Sequence, residues 1–94
     1  MTASTLLEQK IQSAYQAVPD HVRDDILEAL LWAKAKLTEH EGAGHQIYIS
    51  AVHNKNLVCC SFAKPEWPGD HCGRGMPHGA EAVVMAVCEY LSGA

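Results

Sequence analysis

HQIYISAVHNKNLVCCSFA, residues 45–63, is the stretch on which the fold turns. Two runs rich in β-branched and aromatic residues flank HNKN, a turn signal, so the segment reads as a hairpin with strands over about 45–52 and 57–63. With Asn54 and Lys55 at the tip, Val52 pairs with Leu57, Ala51 with Val58, Ile49 with Cys60 and Ile47 with Phe62. Because side chains alternate along a strand, that register puts Ile47, Ile49, Ala51, Val58, Cys60 and Phe62 on one face, suited to packing on helices. The other face, Tyr48, Ser50, Val52, Leu57, Cys59 and Ser61, is mixed in character. A two-stranded hairpin alone is marginal in water and leaves both edges open, so a second copy or a partner strand is expected to pair with it.

Helical patterns surround the hairpin. Upstream, Thr5 followed by Glu8 reads as a capping box, and Leu7, Ile11, Ala14, Tyr15 and Val18 recur at helical spacing over about 5–18. Pro19 ends that helix and Asp20 caps a second one over about 20–39, whose main apolar face is Val22, Ile26, Leu30, Ala33 and Leu37. Leu27 and Leu31 lie beside that stripe, and Trp32 falls among Asp25, Glu28 and Lys36. Such extra apolar width reads as additional core or as a self-association face. The glycines of EGAG, 41–44, stop the helix before the hairpin. Downstream, Pro77 suits a first helical position, and Ala80, Val83, Val84, Val87, Cys88 and Leu91 form an amphipathic stripe over about 77–92. The reading is one small α+β domain, helix-helix-β-hairpin-helix.

The 94 residues carry a net charge of −4, 48% hydrophobic and 19% charged side chains, a globular composition. That charge argues against a non-specific nucleic-acid binder, which needs a basic patch. No apolar run reaches the roughly 20 residues of a membrane span, and MTASTLLEQK lacks the pattern of a secretory signal. A cytoplasmic protein with reduced thiols is therefore expected.

Between the hairpin and the last helix, KPEWPGDHCGRGM, residues 64–76, concentrates the chemistry-bearing residues. Structural zinc requires four converging ligands, usually in close pairs. Here no C-x-x-C occurs, Cys59 and Cys60 point to opposite faces, and Cys60 and Cys88 fall on core faces. His71, Cys72 and His78 are the three residues left for a metal, and none is expected to be bound; no cofactor is implied. The zinc-deaminase pattern fails because His78-Gly-Ala-Glu81 has the wrong spacing and no P-C-x-x-C follows. Cys72, near a helix start and two histidines, is a candidate nucleophile, but a glycine-rich loop does not hold a base in fixed geometry. Gly73, Arg74 and Gly75 could cradle an anion at a helix start, although the spacing matches neither a P-loop nor a dinucleotide fingerprint. Glu66, Trp67, Asp70 and Arg74 are the expected partner contacts, since tryptophan and arginine on ordered loops anchor interfaces; the alternative is that Trp67 folds back over the hairpin. A double-stranded-RNA reader has a similar outline, but Pro77, His78 and Glu81 stand where its phosphate-holding lysines belong.

The C-terminal part, WPGDHCGRGMPHGAEAVVMAVCEYL, resembles the ends of small phage and prophage accessory proteins, in which a Gly/Pro loop precedes an apolar helix. The likeness covers the last third of the chain. It implies a non-enzymatic protein of the anti-CRISPR or other anti-defence type that binds a host complex, with no site residue carried over. The expectation is a homodimeric inhibitor of a bacterial defence or nucleic-acid-processing complex. The alternatives are a small metal- or thiol-dependent enzyme centred on His71, Cys72 and His78, and an oligomer that sequesters a small anion or nucleotide near Arg74.

Overall fold

A computed structural model describes residues 2–93. The chain runs α1 (Ala3–Ala17), α2 (Asp20–Arg23), α3 (Ile26–Glu41), β1 (Gln46–Ala51), β2 (Val58–Ala63), β3 (His71–Cys72) and α4 (Gly79–Gly93). The strands form one antiparallel sheet in the order β1-β2-β3. The architecture is a small α+β domain, with more elements than helix-helix-hairpin-helix.

Three local signals resolve differently from their sequence reading. Thr2, not Thr5, caps α1: its hydroxyl accepts the Thr5 N–H at 3.2 Å, and Glu8 turns elsewhere. The single helix expected over 20–39 is two. Asp25 adopts an extended backbone, and its carboxylate accepts the N–H groups of Leu27 and Glu28 at 2.8 and 3.2 Å. Satisfying those orphan donors makes Asp25 the start of a new helix, so α2 is a single turn. The last helix begins at Gly79 rather than Pro77.

The break redirects the apolar face of α3. Ala29, Ala33 and Leu37, each four residues apart, are fully buried, whereas Ile26 is 39% exposed. Two alanines let α3 approach α4 closely, and α4 is the centre of the molecule. Ala80 and every residue from Ala82 to Cys88 are buried, because α1, α3 and β2 pack around it. A helix covered on several sides is apolar all round rather than striped. Ile11 and Tyr15 of α1 and Val18 just after it close the core on one side, and Phe62 and Cys60 close it from the sheet.

The hairpin has the anticipated register: Ile47 faces Phe62, Ile49 faces Cys60 and Ala51 faces Val58. Val52 N–H donates to the Leu57 carbonyl at 2.9 Å across a turn in which Asn54 takes φ 61°, a conformation asparagine tolerates. The sheet, however, is not two-stranded. β3 rises from within the 64–76 segment and pairs Cys72 with Ser61 and His71 with Phe62. Further on, Val58 and Met76 exchange both backbone hydrogen bonds at 2.8 Å. Gly73, Arg74 and Gly75 thus oppose only Cys59 and Cys60, which is a β-bulge.

The inner face is also covered unevenly. Cys60 and Phe62 are fully buried, but β1 overhangs: Ile49 is 40% exposed and Ala51 is exposed. α4 lies chiefly beneath β2, so the outer strand of the hairpin lacks a helix under most of its length.

Candidate interaction site

The segment at 64–76 is built inward. Trp67 N–H donates to the Lys64 carbonyl at 3.0 Å, and this turn folds the indole back over the hairpin. Its ring lies 6.1 Å from Phe62, 5.5 Å from His45 and 5.6 Å from Tyr90, centre to centre. Phe62 meets Tyr90 edge-on at 5.1 Å and His71 in a tilted contact at 5.0 Å, so five rings from three elements and the adjoining loops form one cluster. Such arrangements add to the burial energy of each ring. Trp67 is half-buried, and it serves first as a lid on Phe62.

A polar seam runs beneath this lid. Glu41, at the end of α3, lies 2.8 Å from His45 Nε2 and accepts the Tyr90 hydroxyl at 2.8 and 3.0 Å. Partial burial alone would raise the Glu41 carboxyl, but the hydrogen bonds from His45 and Tyr90 outweigh it and lower it. Tyr90 responds oppositely: burial, then the facing Glu41 carboxylate, push its hydroxyl up to about 12. Lys64 Nζ donates to the Glu41 carbonyl at 3.0 Å, satisfying an orphan group at the helix end, and reaches Glu66 at 3.1 Å. Sequence reading missed Glu41, His45 and Tyr90, since they lie up to 49 residues apart and form no local pattern. The one available signal was a histidine at the first position of an apolar strand.

Arg74 is occupied. Its guanidinium donates to both Glu8 oxygens at 2.6 and 2.7 Å, and Nε lies 3.4 Å from Glu89 Oε2. Its backbone N–H also donates to Glu89 Oε1 at 3.0 Å. Two carboxylates therefore neutralise the group expected to hold an anion. Gly73 and Gly75 have a packing reason of their own. A Cβ on Gly73 would stand 2.6 Å from Ala86 Cβ and 2.8 Å from Ala86 Cα, and one on Gly75 would stand 3.2 Å from Leu57 Cδ1. These glycines let the bulge lie against α4 and the hairpin.

His71, Cys72 and His78 do not assemble: among the described residues no group of three histidine, cysteine or acidic side chains could hold a metal. His71 is half-buried between Phe62 and Tyr90, while Cys72 and His78 are exposed. Partial burial and the neighbouring Cys59 push the Cys72 thiol above its ordinary value, the opposite direction from the lowered thiols of catalytic cysteines. Glu66 and Asp70 are the members of the loop set left exposed.

What the fold leaves open is elsewhere. Hydrogen bonding alternates along an antiparallel ladder. Val52 bonds across to β2, and Val58 and Cys60 bond toward β3, so the backbone groups of Ile47, Ile49 and Ala51 point to the outer edge of β1. QIYISA carries no charge and no proline, and Tyr48 is 50% exposed beside Ile49. On α3, Leu27 and Leu31 are 69% and 66% exposed, which places both outside the core. Trp32 is packed against the core and lines an apolar groove of about 370 Å³ with Ala14, Val18 and Leu91. No helix among the described residues is long and apolar enough to cross a membrane. Comparison with protein-family models, with curated proteins and with solved structures finds no match to this chain.

Proposed function

We propose that this chain is a non-enzymatic protein-binding module that docks by strand addition on the outer edge of β1. The supporting observation is the edge itself. Natural sheets blunt their edges with lysine, proline, bulges or a covering element, and Gln46–Ala51 has none of the residue devices. An incoming strand gains main-chain hydrogen bonds from Ile47, Ile49 and Ala51, and Tyr48 and Ile49 supply side-chain contact. An uncharged strand also meets its own copy without like-charge repulsion, so the free protein is a homodimer about a twofold axis.

The resemblance of the C-terminal third to small phage accessory proteins gives this reading its most concrete form. It is an inhibitor of the anti-CRISPR or other anti-defence type, acting in the cytoplasm on a host complex. Glu66 and Asp70, exposed on the loop, are secondary contacts in this reading, and the internal roles of Trp67 and Arg74 move the main contact to β1.

Ile49→Lys tests it. The wild-type chain runs at twice the monomer mass in light scattering, the variant at the monomer mass with a cooperative melt whose Tm no longer depends on concentration, and a host protein captured by wild type is lost by the variant. A wild-type monomer at high micromolar concentration whose captured proteins are indifferent to Ile49→Lys would sink the proposal.

A further inference from the structure

Two of the four cysteines belong to the core. Burial pushes the Cys60 and Cys88 thiols up to about 12 and 11, where they stay protonated and inert. The other two face outward on neighbouring strands. Cys72 of β3 stands opposite Ser61 of β2, and Cys59 is two residues along β2, so the two thiols share the face turned away from Phe62. Ser50 Oγ lies 3.4 Å from Cys59 Sγ, and Cys59 is half-buried while Cys72 is exposed.

We propose that Cys59 and Cys72 are a two-thiol redox site that a hydroperoxide converts to a reversible disulfide within one chain. In a regular ladder such diagonal neighbours have Cα atoms about 7–8 Å apart, just beyond the span of up to about 6.8 Å that a disulfide accepts. Here the ladder is not regular. The bulge at Gly73–Gly75 directly follows Cys72, and bulges raise the local twist and re-aim side chains. β3 is only two residues long, so its shift disturbs little backbone pairing.

The chemistry balances with one hydrogen peroxide. The exposed Cys72 thiolate attacks peroxide: an S–O bond forms, the O–O bond breaks, and the departing hydroxide leaves as water after taking a proton. The Cys59 thiolate then attacks the Cys72 sulfur, forming S–S and breaking S–O, and a second water leaves. Two thiols are oxidised, one peroxide is reduced, and a dithiol reductant reverses the change. Because the Cys72 thiol is held protonated by partial burial and by Cys59, the reaction accelerates as pH rises.

The test treats the full chain with hydrogen peroxide between about pH 6 and 9, a range that spans ordinary thiol ionisation. Chymotryptic fragments, cut between the two cysteines at Phe62, are then mapped by mass spectrometry. The expected result is a crosslink that dithiothreitol removes, that forms faster at higher pH, and that is absent from both Cys72→Ser and Cys59→Ser. In Cys59→Ser, dimedone traps the Cys72 sulfenic acid. The proposal is overturned if wild-type Cys72 passes to sulfinic acid while Cys59 stays reduced, if the crosslink survives Cys59→Ser, or if the disulfides formed join separate copies.

Discussion

Arg74 holds the Glu8 carboxylate with two parallel hydrogen bonds of 2.6 and 2.7 Å, joining the segment before α4 to the first turns of α1. Residues 66 apart in sequence are thereby fixed to each other, and Glu89 of α4 contacts the same guanidinium. The bidentate fork is the geometry in which arginine binds carboxylates most strongly.

The bond to Arg74, with help from Gln12, holds the Glu8 carboxyl down at about 2. A depressed carboxyl contributes stability above its ordinary value of 4.5, and that contribution is lost as pH falls toward 2. Thermal melts from pH 7 downward should show Tm falling through this window. Glu8→Gln should start lower at neutral pH and fall less steeply. Parallel profiles for the two proteins would show that another group titrates.

Tyr90 predicts the alkaline limb. Its hydroxyl is raised to about 12, so its contribution is complete below its ordinary value of 10.0 and is lost as pH climbs toward 12. Tyr90→Phe removes the donor to Glu41 and should cost about 1–2 kcal/mol near neutrality. The variant should also show a flatter loss of stability above pH 10, measured by urea unfolding.

Gly73→Ala should be among the most damaging small substitutions in the chain. Its new methyl would stand 2.8 Å from the Cα of Ala86, and a helix backbone cannot step aside. Overpacking of this kind costs about 1–3 kcal/mol. An unchanged chemical-denaturation midpoint would contradict the close approach of the bulge to α4.

Asp25→Ala tests the break between α2 and α3. Losing an N-cap costs about 0.5–2 kcal/mol. Hydrogen exchange should quicken most at Leu27 and Glu28, whose N–H groups the carboxylate accepts. Faster exchange spread evenly over α3 would mean that the cap does not act locally.

The hairpin was legible because its information is local. Alternation and a four-residue turn set the pairing of Ile47 with Phe62 and Ile49 with Cys60, and the structure has that register. The helices were legible as patterns but not at their ends. Asp20 and Asp25 are both good caps, and sequence pattern alone does not rank one against the other. The loop was misread for a deeper reason. Glycine, tryptophan, histidine and arginine have the same letters whether they face a ligand or their own core. Gly73 is required by Ala86, Trp67 by Phe62 and Arg74 by Glu8, and each partner is distant in sequence.

The sequence by itself determined the α+β class, the hairpin register and the separation of core cysteines Cys60 and Cys88 from Cys59 on the opposite face of the hairpin. These follow from periodicity and side-chain alternation, which neighbouring residues fix among themselves. Only the tertiary structure decided that α4 is enclosed, that β3 extends the sheet, that Arg74 is bound internally and that β1 keeps an open edge. Each of those depends on which surfaces meet after the chain has folded back on itself, and burial is a property of that meeting rather than of any segment.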